Sequence, residues 1–316
     1  MKYRRINNSE KKISVLGLGT WSLSNKRQKK YFYEKISLKL IKEILNKSYD
    51  KGINFYDTSP AYGYSETILG NVFKNKRDKI ILSTKVGINR FGENLDFSVN
   101  KITKQINQSL KNLKTDYLDI VFFYTPKLNE YNIMKSYEYM CNLKRKGIIS
   151  QIGVSVKSPY DVLKINRQTK FDSIQCNFNI LDNRLYDKRI MNIIKKSKMD
   201  VFARTILGLG FFTENINRKD FKFHKSDIRN SWNINQLNLW KKGIKKIKEN
   251  DNKNQSIEKI ALKFVLSEKT IKSSLIGVRN LNELNDNLNS NNFVKLDKKL
   301  YSYIKKLNIK YNFFFK

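Results

Sequence analysis

Asp57, Tyr62 and Lys85 are the side chains of this 316-residue sequence whose types and spacing are best suited to chemistry. Asp57 and Tyr62 lie in the run Gly52-Ile-Asn-Phe-Tyr-Asp-Thr-Ser-Pro-Ala-Tyr-Gly63, and Lys85 closes the apolar run Ile80-Ile-Leu-Ser-Thr-Lys-Val-Gly87. An unperturbed phenol keeps its proton until about pH 10. An ammonium group about 4 Å from the phenolic oxygen, at an effective dielectric of about 20, favours the phenolate by up to roughly 4 kcal/mol. That would bring the phenol toward neutral pH, and a carboxylate such as Asp57 would keep the ammonium charged and aimed. The expected chemistry is therefore general acid catalysis with Tyr62 as proton donor. The competing structural account is a buried ion pair beside a packed tyrosine.

Such residues need elements to hold them at one place. Short apolar runs beginning near Val15, Asn54, Ile80, Tyr117, Gln151, Ser173, Val201 and Ser274 predict strands, and amphipathic stretches alternate with them. Ile41, Ile44, Leu45 and Tyr49 follow helical spacing up to Gly52; Ile102, Ile106, Leu110 and Leu113 repeat the pattern. Ile133, Tyr137, Met140 and Cys141 form another stripe ending at Gly147, which predicts a buried packing role for Cys141. Strand and helix units of this number and length predict a closed (β/α)₈ barrel, with catalytic groups gathered at the C-terminal ends of its strands. Asp57 and Lys85 fall at two such ends. Longer insertions run from Ser22 to Lys35 and from Gly210 to about Asn235, where loops shape access to a site. No linker or repeat divides the chain, so residues 1–316 are expected to form one domain.

Gly17-Leu-Gly19 and Gly208-Leu-Gly210 look like openings of a dinucleotide-binding glycine fingerprint, but Ser22 and Thr213 stand where the third glycine belongs. A Rossmann domain is disfavoured. The sequence instead resembles the aldo-keto reductases, where Asp57, Tyr62 and Lys85 occupy three of the four catalytic places. Leu16-Gly-Leu-Gly-Thr-Trp21, Asp116-Tyr-Leu-Asp-Ile-Val121, Ile152-Gly-Val-Ser155, Ser173-Ile-Gln175 and Ile276-Gly-Val-Arg279 extend the resemblance from residue 16 to residue 287.

The resemblance implies a (β/α)₈ TIM barrel whose floor is plugged by a short hairpin over Tyr3 to Ile13. It implies an NADPH-dependent oxidoreductase that reduces an aldehyde or ketone, sugar-derived carbonyls included, with a nicotinamide hydride and the Tyr62 proton. Ser155 and Gln175 would hold the nicotinamide carboxamide, and Arg204 would stack on its ring. The backbone around Thr205, Leu207 and Gly210 would cradle the pyrophosphate. Gly277, Arg279, Asn280, Glu283 and Asn287 match the segment that grips the adenosine end, with Arg279 placed for a 2′-phosphate, so NADP is expected over NAD. Three positions depart from the family pattern. Val156 replaces a frequent Asn, Glu283 replaces a neutral residue, and Tyr124, in Ile120-Val-Phe-Phe-Tyr-Thr-Pro126, replaces a catalytic histidine. Tyr124 can still donate a hydrogen bond to a carbonyl. The same change also suits a weakly catalytic, cofactor-binding regulatory or partner protein of this fold. The only histidine, His224, falls in a polar loop and is expected at the surface.

Composition bounds the remaining readings. Lys and Arg number 63 against 28 Asp and Glu, a formal net charge of +35. With Lys, Asn and Ile abundant and the basic residues scattered, a solvated basic surface is expected in preference to a specific nucleic-acid site. No apolar run reaches the roughly 18 residues of a membrane span, and Met1-Lys-Tyr-Arg-Arg-Ile6 does not read as a signal peptide. Cys141 and Cys176 form neither a disulfide framework nor a metal-ligand pattern. A cytoplasmic protein acting on a small-molecule carbonyl, with no metal, is the expectation.

Overall fold

The structure, a computed structural model, describes residues 1–24, 36–91, 93–127, 131–165, 169–213, 227–289, 293–311 and 313–314. It opens with a hairpin of β1 (Tyr3–Arg5) and β2 (Lys12–Ser14), antiparallel with Arg4 opposite Ile13. Eight parallel strands then close a barrel. They are β3 (Leu16–Gly19), β4 (Phe55–Asp57), β5 (Ile81–Val86), β6 (Leu118–Tyr124), β7 (Ile149–Ser155), β8 (Ser173–Asn177), β9 (Asp200–Arg204) and β10 (Ile271–Ile276), with β10 pairing back onto β3. This is the expected (β/α)₈ architecture. β7 and β10 begin slightly earlier than the sequence suggests, because buried Ile149 and Ile271 start each strand ahead of a partly exposed residue.

Helices surround the barrel: α1 (Leu38–Asp50), α2 (Ser65–Phe73), α3 (Val99–Leu113), α4 (Tyr131–Arg145), α5 (Lys188–Lys196), α6 (Ile234–Glu249), α7 (Ile257–Ser267), α8 (Leu281–Asn287) and α9 (Lys298–Lys310). Their ends follow capping chemistry. The Ser37 side chain accepts from Leu40 N at the start of α1, and Ser98 does the same for Lys101 N at α3. The apolar stripe of each buries against the strands, through Ile41, Ile44 and Leu45 in α1 and Ile102, Ile106 and Leu113 in α3. Cys176 is buried, whereas Cys141 is half-buried at the edge of the core, because the α4 stripe turns it partly outward.

The barrel interior is filled from below. Ile6 and Ile13 of the hairpin segment pack with Phe55, Ile81, Ile120, Phe122, Phe202 and Leu275. Gly17 of β3 keeps this interior closed, since a Cβ there would meet Phe55 Cδ1 at 2.4 Å. Its role is thus close packing inside a barrel, which explains why a glycine pair occurs there without a dinucleotide fingerprint. Polar contacts tie the plug to the strand bottoms. Asn7 N donates to Asp200 Oδ2 at 2.6 Å, Gln151 Nε2 donates to the same oxygen at 2.8 Å, and Lys11 pairs with Asp119 at 3.3 Å. With its floor sealed, the barrel has its C-terminal mouth as the face on which Asp57, Lys85 and Tyr124 open. Among the described residues no helix is long and apolar enough to cross a membrane.

Candidate active site

Parallel register sets the geometry of this mouth. Asp57 lies opposite Ser83, Tyr124 opposite Ser155, Ser155 opposite Gln175, and Asn177 opposite Arg204. Side chains two residues apart on a strand share a face, so Ser83 and Lys85 of β5 point the same way.

Lys85 Nζ donates to Asp57 Oδ2 at 2.7 Å and to the Thr58 carbonyl at 2.8 Å, with the Lys85 side chain 1% exposed. Asp57 Oδ1 accepts from Ser83 Oγ at 2.7 Å and from Gln175 Nε2 at 2.8 Å. Gln175 Oε1 in turn accepts from Ser155 Oγ at 2.9 Å. A buried, hydrogen-bonded path thus runs from β7 through β8 and β4 to β5. Such a pair is stable while complete; removing one partner from a buried ion pair costs about 3–5 kcal/mol.

Tyr62 reaches the same place from a short 3₁₀ turn, Pro60–Tyr62, that follows β4. Ser59 caps the turn by accepting from Ala61 N at 3.2 Å, and proline supplies its first residue. Lys85 Nζ sits 4.9 Å from the centroid of the Tyr62 ring. Phe91 stacks on that ring at 6.0 Å and meets Tyr124 edge-on at 6.2 Å. Trp21, Ala61 and Ile88 complete this aromatic cluster.

The electrostatics correct one expectation. The Tyr62 phenol is pushed well above its ordinary 10.0, first by burial, then by the charge of Asp57 and by Tyr124, while Arg204 pulls the other way. Lys85 does not bring it toward neutral pH, because its ammonium is already engaged by Asp57 and a carbonyl. Lys85 itself is lowered from its ordinary value by burial, against which Asp57 holds it up. Tyr62 is a phenol that keeps its proton.

Arg204 ends β9, with Nη2 donating to the Val156 carbonyl at 2.9 Å and Nε buried without a hydrogen-bond partner. The chain then makes a tight turn. Thr205, Gly208, Leu209 and Gly210 all take positive φ, and Gly210 N donates to the Leu207 carbonyl at 3.0 Å. The second glycine pair of the sequence therefore serves left-handed backbone, and Thr205, Leu207 and Gly210 share one compact turn. Gly277, Arg279, Asn280 and Glu283 follow β10 as a separate cluster. Asn280 Oδ1 accepts from Glu283 N at 2.8 Å, while Glu283 accepts from Arg279 N at 2.7 Å and from Asn280 Nδ2 at 2.9 Å. Glu283 is thus turned back to cap α8, whose last residue, Asn287, is buried. His224 lies outside the described residues.

Ser83, Phe91 and the Thr58 carbonyl are site groups that sequence reasoning passes over. Ser83 carries a readable signal, being two residues before Lys85 on one strand; Phe91 carries none, since loop residues have no period. Among the described residues, no group of three or more His, Cys, Asp and Glu is placed to hold a metal ion.

An eight-stranded barrel with a buried lysine, carboxylate and tyrosine at its mouth has the build of a barrel enzyme. The model of the aldo/keto reductase family matches residues 15–309, and the chain belongs to that family as an oxidoreductase. It is 26% identical over 303 residues to the uncharacterized oxidoreductase YqkF of Bacillus subtilis, covering 94% of this chain and 93% of that one. It is 25% identical to the L-galactose dehydrogenase of Arabidopsis thaliana, covering 91% and 87%. In fold it is similar to the glycerol dehydrogenase AKR11B4 of Gluconobacter oxydans, with a TM-score of 0.77 at 23% identity, covering 98% and 95%.

Proposed function

We propose that this chain is a cytoplasmic, NADPH-dependent reductase of aldehyde or ketone groups, sugar-derived carbonyls included, with Tyr62 as the proton donor. The observation that carries the reading is the buried path from Ser155 through Gln175 and Asp57 to Lys85, ending 4.9 Å from the Tyr62 ring centroid. It links the position where a carboxamide would bind to the group that would give the proton.

The residues fit a nicotinamide cofactor. Gln175 has a second amide hydrogen, and Ser155 Oγ has lone pairs, beyond the bonds they make to each other and to Asp57. The buried Arg204 Nε is a donor in want of a partner at the ring-stacking position. Arg279 would face the 2′-phosphate, and the opposing charge of Glu283 is drawn into its own hydrogen bonds with Arg279 N and Asn280. When bound, the cofactor supplies the hydride. Tyr62 protonates the carbonyl oxygen, Lys85 and Asp57 hold the polar side of the site, Tyr124 donates a hydrogen bond that orients the carbonyl, and the Trp21, Phe91 and Ile88 surfaces exclude water. The names of the L-galactose and glycerol dehydrogenases support including polyhydroxylated substrates. The partner is a small molecule; no specific nucleic acid is required.

Tyr124 favours a second reading, a cofactor-binding protein of low turnover. NADPH oxidation against a panel of aldehydes, ketones and aldoses separates the two. The reductase reading expects turnover that Tyr62→Phe abolishes with cofactor affinity nearly unchanged, and that Tyr124→Phe lowers by about 10- to 1000-fold, as for loss of one donor to a developing oxyanion. Full turnover in Tyr62→Phe would remove the proton-donor role. A native protein that is nearly inactive, binds NADPH and is unchanged by Tyr124→Phe is the binding protein.

A further inference from the structure

One buried acid takes no part in the chemistry proposed above. Glu66, in the first turn of α2, is 2% exposed. Its Oε1 accepts from Thr84 Oγ1 of β5 at 2.7 Å and from Ser109 Oγ of α3 at 2.7 Å, and its Oε2 accepts from Asn112 Nδ2 of α3 at 3.0 Å. All three donors are neutral, and among the described residues Glu66 has no basic partner. An apolar side chain would pack α2 on the barrel wall at less cost than a carboxylate without a counter-ion. What the carboxylate adds is strength, since hydrogen bonds to an ionised acceptor are roughly twice as strong as neutral ones.

The elements it joins are those that carry Tyr62 and Lys85. Thr84 immediately precedes Lys85 on β5, and because successive side chains alternate, Thr84 faces α2 while Lys85 faces the barrel interior. On the other side, Ser65, the residue before Glu66, donates from Oγ to the Tyr62 carbonyl at 2.8 Å. A chain of contacts from Tyr62 through Ser65, Glu66 and Thr84 to Lys85 thus runs behind the site, opposite the 4.9 Å that separates Lys85 Nζ from the Tyr62 ring centroid in front. The helix has no room to shift: a Cβ on Gly70, one turn beyond Glu66, would meet the Asn112 carbonyl of α3 at 2.3 Å. Beyond burial, the groups that weigh most on the protonation of Tyr62 and Lys85 are Asp57, Arg204 and Tyr124. Glu66 therefore acts through position and not through its charge on the site.

We propose that Glu66 is a positioning residue for proton transfer: by holding Thr84 from α2, it fixes Lys85 of β5 relative to Tyr62 on the turn that leads into that helix. Its effect on turnover rests on the reductase reading, whereas the geometry it sets does not. Misplacing a reacting group by about 1 Å from a distance can lower turnover about 100-fold, so a bond outside the barrel wall is able to govern a step inside it.

Thr84 and Ser109 bond the same Glu66 oxygen at the same length, one from the strand of Lys85 and one from α3, so Thr84→Val and Ser109→Ala remove matched bonds. In NADPH-dependent reduction of an aldehyde, Thr84→Val is expected to lower kcat by about tenfold or more, with NADPH affinity nearly unchanged and a larger solvent deuterium isotope effect. Thr84→Ser, which keeps the hydroxyl, restores the native values. Ser109→Ala lowers Tm as much as Thr84→Val does but leaves kcat and the isotope effect near native. Glu66→Leu behaves as Thr84→Val, and the double variant loses no more kcat than either alone, because both remove one bond; if Glu66→Leu does not fold, the Thr84 and Ser109 variants decide. Crystal structures of the native protein and Thr84→Val are expected to differ by about 0.5 Å or more in the separation of Lys85 Nζ from the Tyr62 ring. Losses of kcat that merely follow Tm in both hydroxyl variants, or an unchanged isotope effect in Thr84→Val, would make Glu66 a structural clamp only and overturn the proposal. A native protein that turns over no aldehyde would remove the reductase reading; the crystal structures then test the positioning alone, and an unchanged separation overturns it.

Discussion

Tyr62 keeps its proton more firmly than a free phenol because burial and the Asp57 charge outweigh the pull of Arg204. A group whose pKa is raised remains in its acid form across the whole neutral and mildly alkaline range, which suits a donor working toward reduction. Carbonyl reduction is therefore expected to show no falling limb from Tyr62 below the ordinary phenol value of 10.0, whereas oxidation of the corresponding alcohol, which needs the phenolate, rises with pH. A reduction profile that titrates away near neutral pH would contradict this. At the adenosine end, Arg279→Ala should weaken NADPH by roughly 2 kcal/mol, the scale of a hydrogen bond to a charged group, and barely change NADH; equal losses in a binding titration would reassign Arg279. Asp57 and Lys85 are legible in the sequence because polar groups closing apolar strands stand out, and Tyr62, on the turn after β4, because of its place in the family motif. The Gln175 bond to Asp57 is not legible, since it joins residues 118 positions apart, and only barrel closure brings them together. The sense of the Tyr62 shift is hidden for a similar reason: proximity to Lys85 can be read, but not that Lys85 is already engaged.

At the scale of elements, the strands and the helices α1, α3 and α4 are legible because their apolar periods are clean, whereas the plug over Tyr3 to Ile13 is legible only through the family resemblance, its Ile6 and Ile13 packing into the barrel floor in the structure. What the sequence does not disclose is how the floor is tied. Asp200, the first residue of β9, is buried among Asn7, Gln151 and Lys272, and burial raises its carboxyl above its ordinary 3.8 despite those partners. The sign follows from linkage. Above the unfolded value and up to the raised folded value, the folded state binds the proton more tightly. Stability from this group is therefore full below the unfolded pKa and lost as pH rises through the folded one. In denaturant unfolding between about pH 3 and pH 7 the stability of the native protein relative to Asp200→Asn should fall as pH rises, since the lowered carboxyls Asp96, Asp187, Asp251 and Glu268 act the other way in both proteins and cancel in the difference. An unchanged slope in the variant would mean that Asp200 does not titrate between the two states.

Over the whole molecule, 63 basic against 28 acidic residues leave a charge of +35, and self-repulsion of that sort opposes the compact state. Raising ionic strength from about 0.01 M to 0.15 M shortens the screening length from about 30 Å to 8 Å, so Tm should rise; a fall would mean that attractive pairs such as Lys144 with Asp172, 2.6 Å apart, dominate instead. Closure of the barrel has a consequence of another kind. Leu16 of β3 hydrogen-bonds its way around the ring only when Ser274 of β10 arrives beside it. During synthesis the first barrel strand leaves the ribosome with one edge open while some 250 further residues are made, roughly 10–50 s at 5–20 residues per second. Over that interval the edge of β3 is a template for any passing strand, and the nascent chain is most exposed to misassembly before its last strand appears. A truncated chain lacking β10 would carry that open edge permanently.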